Sequence, residues 1–85
     1  MNRIQRSQPA YMQIARAEAA KIEAGVYPQG IPFPSIPQLA EMWGVSRMTA
    51  HNARKVLQRA GYLSAQQGSG TWPLLRGPYR ELRYL

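Results

Sequence analysis

The chain has 85 residues, of which 45% are hydrophobic, and it contains no cysteine. This length is typical of one domain with a modest core, and the lack of cysteine excludes disulfides, thiolate metal sites and cysteine nucleophiles. Eleven Lys and Arg residues against four acidic residues give a net charge of +7, which favours an anionic partner, either nucleic acid or a lipid surface.

The N-terminal residues 1–7 predict a flexible basic arm. No apolar run follows them, which excludes a secretory signal, and no apolar stretch approaches the roughly 20 residues needed to cross a bilayer. We therefore expect a soluble, cytoplasmic protein that has no membrane partner.

The first predicted helix begins near Pro9, where the missing N–H of proline does no harm, and it ends at Gly25. Its apolar stripe at helical spacing comprises Tyr11, Ile14, Ala15, Ala19 and Ile22. The outward side chains are mixed in sign, which predicts only a solvated face: Gln13, Arg16, Glu18, Lys21 and Glu23. The connector 26–34 is too rich in proline to be helical, and we expect Tyr27 and Phe33 to anchor it to the core.

A short helix, a tight turn and a longer basic helix are predicted over residues 35–60. Ser35 is a favourable N-cap, and the apolar face that follows consists of Ile36, Leu39, Ala40 and Trp43. Gly44 supplies the left-handed backbone that ends this helix, and Ser46 caps the next one. This order is the pattern of a helix-turn-helix, in which the second helix enters the major groove of DNA.

The second helix of this motif, residues 46–60, has two contrasting sides. Its core side is mostly alanine, which allows close packing: Ala50, Ala53, Leu57 and Ala60, with Val56 beside them. The opposite side carries Arg47, Met48, His51, Asn52, Lys55 and Arg59. No acid occurs between Met42 and Arg80, whereas a solvated face usually mixes both signs, so the distribution of charge favours a nucleic-acid-binding face over a merely solvated one.

Two short strands, 63–66 and 71–74, are predicted around a Gly-rich turn. A hairpin directly after a basic helix predicts the wing of a winged helix-turn-helix. The expected fold is therefore mainly α with a small β-hairpin (α+β), with three helices and a two-stranded wing in a domain of residues 8–74. The tail 75–85 mixes arginines with apolar residues, and three arrangements stay open: folding back on the domain, pairing with another copy, or following the DNA backbone.

Motifs along residues 8–74 form one ordered set: Tyr11, Ile14, Ala15, Ile22, Gly25, Tyr27, Pro28, Gly30, Phe33, Pro34-Ser35, Leu39-Ala40, Gly44-Val45-Ser46-Arg47, Thr49, Leu57, Gly61 and Gly68-Ser69-Gly70-Thr71. This set resembles the DNA-binding domain of GntR-type bacterial transcription regulators. Pro37, Met48 and His51 depart from the family pattern at positions that face DNA, so the resemblance implies no particular target sequence. The family normally adds a ligand-binding, dimerising domain after the wing. We therefore expect no small-molecule effector within this chain, whether it is a stand-alone module or a fragment.

The residues expected to contact DNA lie in both helices of the motif and in the wing: Ser35, Ser46, Arg47, Met48, Thr49, His51, Asn52, Lys55, Arg59, Gln67, Gly68, Ser69 and Gly70. Arg47, in the first turn of the recognition helix, can bridge guanine O6 and N7 or clamp a phosphate. Lys55 and Arg59 lie further along and suit phosphates. For Asn52 an adenine contact and a structural role both stay open.

Helix N-termini and the wing are expected to add contacts to the DNA backbone. Ser35, Ser46 and Thr49 lie where helix N–H groups already favour an anion. The glycines of the wing, residues 66–71, allow its backbone to approach the minor groove or phosphates closely. Arg54 leans toward the core side of its helix, where its stem is expected to cover apolar surface.

The leading hypothesis is sequence-specific binding of double-stranded DNA by a small transcription regulator, a repressor associated with the bacterial nucleoid. A lone domain of this size suggests a second copy of the chain on repeated or palindromic sites. The alternatives are a DNA-bending recombination accessory factor, excisionase-like and from a mobile element, and a winged helix that binds only protein. An enzyme, a cofactor and a metal site are not expected, because the acids are scattered and His51 has no partner histidine or cysteine.

Overall fold

The computed structural model describes residues 8–28, 30–66, 70–74, 77, 79–80 and 82. Its elements in chain order are α1 (Ala10–Glu23), α2 (Ile36–Trp43), α3 (Arg47–Arg59), β1 (Leu63–Gln66) and β2 (Gly70–Pro73). The two strands pair antiparallel, with Leu63 opposite Pro73 and Gln66 opposite Gly70. The mainly α fold with a small hairpin is confirmed, and β2 begins and ends one residue earlier than the predicted 71–74.

The core lies where α1 and α2 each pack against α3. Its fully buried large side chains are Met12, Ile14 and Ile22 from α1, Leu39 from α2, and Leu57 from α3. Ala50 and Ala53 are also fully buried, so α3 packs closely against its neighbours. The predicted core sides of α1 and α3 are confirmed, with Tyr11 at the half-buried margin of α1.

The connector between α1 and α2 is fastened to the core by its aromatic residues, as predicted. Phe33 is buried, and the half-buried ring of Tyr27 lies 5.3 Å from it between centroids. The backbone N–H of Phe33 also donates to the carbonyl of Thr71 at 2.9 Å. The connector therefore joins the start of the helix-turn-helix to the base of the wing.

The prediction that Glu18 belongs to a solvated face is wrong. Its side chain is 0% exposed, and it accepts hydrogen bonds from Lys21 Nζ at 2.9 Å, from Trp43 Nε1 at 3.1 Å and from the hydroxyl of Tyr27. These donors come from α1, the end of α2 and the connector. A carboxylate is stable inside a protein when charge and hydrogen bonds compensate it, and here three donors do so. We call Glu18, Lys21, Tyr27 and Trp43 the Glu18 cluster.

The described part of the C-terminal tail folds back on the domain, which is one of the three arrangements considered. The Tyr79 ring stacks on Tyr62 with a centroid separation of 4.0 Å and an interplanar angle of 5°. The N–H of Arg80 donates to the Ala60 carbonyl at 2.7 Å, and the Tyr79 hydroxyl donates to the Leu74 carbonyl at 2.6 Å. These contacts hold Tyr79 and Arg80 against the end of α3 and the residues that follow it.

The predicted flexible arm, residues 1–7, lies outside the described residues. None of the helices in the described part of the chain combines the length and the apolar character that crossing a lipid bilayer requires.

Candidate nucleic-acid interface

Local hydrogen bonds fix both ends of α2, including the turn that leads into α3. Ser35 forms a capping box with Gln38: the Gln38 N–H donates to Ser35 Oγ at 3.2 Å, and the Ser35 N–H donates to Gln38 Oε1 at 2.9 Å. Gly44 has a φ of 64°, which an L side chain rarely adopts, and the next N–H, of Val45, donates to the Ala40 carbonyl at 3.0 Å. The predicted caps and stop are therefore in place.

The N-terminus of α3 has two hydroxyls arranged in series. Ser46 Oγ accepts from the Thr49 N–H at 3.1 Å and donates to Thr49 Oγ1 at 3.0 Å. A hydroxyl has one proton, so Ser46 has none left to donate, whereas the Thr49 hydroxyl proton stays available. Ser46 thus positions Thr49, and the hydroxyl of the half-buried Thr49 is the donor that remains at this helix end. The sequence alone did not distinguish these two roles.

One face of α3 is exposed and carries its charge without acidic partners. Arg47, Met48, His51 and Arg59 are exposed, with 66% of Met48 accessible, while Lys55 and Asn52 are half-buried. Within the described residues, the one ion pair joins Lys21 to Glu18, and both of these residues lie on α1. The cations of α3 are therefore not neutralised by the described part of their own protein. We call Arg47, Met48, His51, Lys55 and Arg59 the α3 face.

A shallow open groove of about 320 Å³ continues this face toward the C-terminal end of α3. It is lined by Lys55, Gln58 and Arg59. Gln58, which is exposed, was missing from the residues predicted to contact DNA. Eleven residues after Arg47, it returns to within about 20° of the same direction around the helix, so helical periodicity could have identified it.

Arg54 lies at the edge of the α3 face, next to the connector. Its guanidinium carbon is 6.0 Å from the centroid of the buried Phe33 ring. Its Nε is buried and has no hydrogen-bond partner among the described residues. Burial lowers the pKa of the Arg54 guanidinium. The contact in the structure is made by the guanidinium, whereas the prediction concerned the stem, and a polar atom of the side chain stays unsatisfied.

The remaining predicted site residues lie at α2 and in the wing. Ser35 is exposed at the N-terminus of α2, and Gly70 is exposed at the start of β2 with a φ of 86°. Gln67, Gly68 and Ser69 lie outside the described residues. The described interface therefore consists of the two helix N-termini and the α3 face. Across the described ranges, no group of three or more His, Cys, Asp or Glu is placed to hold a metal ion.

Comparisons with known proteins place this arrangement in context. Residues 10–72 match the family described as "Bacterial regulatory proteins, gntR family". The "HTH-type transcriptional regulator Rv0792c" of Mycobacterium tuberculosis is 42% identical over 66 residues, covering 78% of this chain and 24% of that protein. The "HTH-type transcriptional repressor NagR" of Bacillus subtilis is 36% identical over 64 residues, covering 75% of this chain and 26% of that protein. The chain thus spans about a quarter of the length of these relatives.

The fold is shared with a solved structure of a GntR family transcriptional regulator from Listeria monocytogenes. The TM-score is 0.75 at 25% sequence identity, covering 86% of this chain and 64% of that one. The segment 10–72 is therefore a winged helix-turn-helix domain of the kind these regulators contain. The names of these relatives give no support to the alternative of a recombination accessory factor.

Proposed function

Because this chain belongs to the gntR family of bacterial regulatory proteins, we propose that it binds double-stranded DNA sequence-specifically and regulates transcription as a repressor. The observation that carries the proposal is the α3 face, whose exposed cations have no acidic partner among the described residues. A duplex offers the matching surface, since its phosphates attract the cations and its major groove is wide enough for one helix.

Arg47 is proposed to read or clamp DNA at the leading end of α3. It is exposed in the first turn, next to the cap formed by Ser46 and Thr49. A guanidinium there can donate two parallel hydrogen bonds, either to guanine O6 and N7 or to a phosphate. Met48 and His51 lie beside it on the same face and contact base edges in this arrangement.

Phosphate contacts are proposed to fix the orientation of α3 in the groove. The Thr49 hydroxyl and the N-terminal amides of α3 form one site, and the N-terminus of α2 at Ser35 forms another. Lys55, Arg59 and Gln58 line the groove toward the other end of α3 and suit the opposite phosphate backbone. Asn52 is half-buried at the flank of the face, and we assign it a structural role instead of a contact with a base.

The wing is proposed to contribute less than α3. Residues 66–71 contain no Lys or Arg, so their contacts with the minor groove or backbone depend on Gln67, Gly68, Ser69 and Gly70. A single domain of this type buries roughly 600–1,000 Å² on DNA, which seldom gives tight specific binding. Two copies on a repeated or palindromic site are therefore part of the proposal.

Regulation as a repressor is inferred from relatives, since NagR of Bacillus subtilis is called a transcriptional repressor. This function places the protein with DNA in the bacterial cytoplasm and assigns it no enzymatic activity, cofactor or metal. The domain boundaries belong to the same proposal: an N-terminal arm of residues 1–7, a DNA-binding domain of residues 8–74 and a tail of residues 75–85.

Selection of bound sequences from random duplex DNA, followed by binding measurements on the selected site, tests the proposal. Arg47→Ala should weaken specific binding by about 1–3 kcal/mol and relax the preference at one base position. Lys55→Ala should weaken binding to all sequences similarly and lower the salt slope by about 1, because it removes one phosphate contact. If both variants keep the wild-type affinity for the selected site, α3 does not occupy the groove.

A further inference from the structure

Arg54 is the cation of α3 that the proposed function has not used. It is half-buried, whereas Arg47 and Arg59 are exposed. Seven residues separate it from Arg47, which places the two in nearly the same row along the helix, about 10 Å apart. Arg54 therefore projects from α3 in nearly the same direction as Arg47, and a duplex bound to the α3 face would lie near it.

The surroundings of Arg54 place it at the root of the wing. Its guanidinium lies over Phe33, and the N–H of Phe33 donates to the carbonyl of Thr71 in β2. Phe33 of the connector therefore links Arg54 of α3 to β2. In a duplex, one phosphodiester backbone separates the major groove from the neighbouring minor groove. With α3 in the first groove and the wing at the second, that backbone crosses the junction where Arg54 lies.

In the structure, Arg54 lacks partners for its charge and for one of its hydrogen-bond donors. Its Nε is buried without an acceptor, and no carboxylate of the described residues forms an ion pair with the guanidinium. An unsatisfied buried donor costs free energy, and burial without a counter-charge disfavours the charged form. The contact with the Phe33 ring lies at the outer limit of the cation–π range. A phosphate contact would therefore break no hydrogen bond and would supply the missing acceptor.

We propose that Arg54 swings from the Phe33 ring to a DNA phosphate between the recognition helix and the wing, and that it is a further DNA-binding residue of this chain. This inference rests on the proposed function. The wing itself has no Lys or Arg in residues 66–71, so Arg54 supplies the positive charge at its base. The contact carries no sequence information and positions the domain on the duplex.

The test measures the salt dependence of affinity for a random-sequence duplex by fluorescence anisotropy. Arg54→Met keeps an unbranched stem over Phe33 and removes the charge. Loss of one phosphate contact should lower the slope of log K against log salt by about 0.9 and weaken binding about eightfold at 0.1 M salt. Arg54→Lys keeps the charge and should keep the wild-type slope. Arg16→Met, on the exposed side of α1, removes the same charge outside the interface and should also leave the slope unchanged.

Two results would overturn the inference: a wild-type slope for Arg54→Met, or an equal loss of slope for Arg54→Lys, which would indicate lost packing. Thermal melting of each variant shows whether it is folded at the assay temperature, and Arg54→Gln replaces Arg54→Met if that variant is not. Lys55→Met separates this inference from the proposed function. If the wild type binds and Lys55→Met lowers the slope while Arg54→Met does not, only the role of Arg54 fails. If the wild type shows no salt-dependent binding, the proposed function fails as well.

Discussion

The Glu18 cluster contains a buried charge that has partners, whereas the α3 face carries exposed charges that have no acidic partner among the described residues. Glu18 is fully buried, and three donors from three parts of the chain compensate it. Arg47 and Arg59 are exposed on α3, and no acid of the described residues pairs with them. Compensated charge inside the protein holds its elements together, whereas uncompensated charge gathered on one surface is available to an external anion.

The two regions are also linked through the end of α2. Trp43, which donates to Glu18, is the last residue of α2, and Gly44 follows it directly at the turn into α3. The cluster therefore fixes the end of α2 relative to α1, and the turn transmits that position to the N-terminus of α3. The comparison predicts that changes in the cluster act on stability and that changes on the α3 face act on DNA affinity.

The largest expected effect comes from Glu18→Ala. This change leaves the Tyr27 hydroxyl, the Trp43 Nε1–H and the Lys21 ammonium without their shared acceptor. A buried donor left without an acceptor costs about 1–3 kcal/mol, and the Trp43 and Tyr27 donors both lose theirs, so urea unfolding should show a loss of about 3 kcal/mol. Glu41→Ala, which removes an exposed carboxylate from α2, should change the free energy of unfolding by no more than about 0.5 kcal/mol. Equal losses for the two variants would contradict the contrast between the regions.

A smaller effect is expected at the cap of α3, where one change should affect both the stability of the domain and its affinity for DNA. Ser46→Ala removes the acceptor of the Thr49 N–H and the acceptor–donor contact that orients the Thr49 hydroxyl. It should cost about 1 kcal/mol in urea unfolding, whereas Ser46→Gly should cost only a few tenths of a kcal/mol. Both variants should also weaken binding to duplex DNA, because Thr49 loses its fixed orientation. Unchanged affinity in both would remove Thr49 from the interface.

The smallest effect is a change in the alkaline stability of the domain. The Tyr62 hydroxyl donates to Glu23 Oε2 at 2.6 Å, and burial followed by this hydrogen bond raises the pKa of Tyr62 to about 12. Between pH about 10 and about 12 the unfolded chain has lost a proton that the folded protein keeps, so the free energy of unfolding falls as pH rises. Tyr62→Phe lacks this proton and should show a shallower decline in melting temperature over that range. Parallel declines would show that Tyr62 does not contribute.

Local sequence patterns were sufficient to predict the helix-turn-helix. Ser35 and Ser46 act as caps through neighbours three residues away, and Gly44 ends α2 by its own backbone conformation. Alanine spacing likewise identified the core side of α3, where Ala50 and Ala53 are fully buried. Each of these features depends on residues within about one or two helical turns, which is the range that a sequence pattern reports directly.

The features that the sequence did not reveal depend on distant partners. Glu18 reads as an outward polar residue, and its burial depends on Tyr27 and Trp43, which are 9 and 25 residues away. The position of Tyr79 in the tail likewise depends on its stacking on Tyr62, 17 residues away. The site follows the same rule: helical spacing identifies the α3 face, whereas the contact between Arg54 and Phe33 joins residues 21 positions apart.

Amide chemical-shift mapping of the isotope-labelled protein during titration with a selected duplex tests most directly whether the α3 face binds DNA. The largest shifts should occur at Arg47, Met48, Thr49 and His51, and they should diminish as salt is added. The exposed outer residues of α1, such as Arg16, should not respond. Shifts concentrated on α1, or none on α3 at a salt concentration where the duplex is bound, would contradict the central claim.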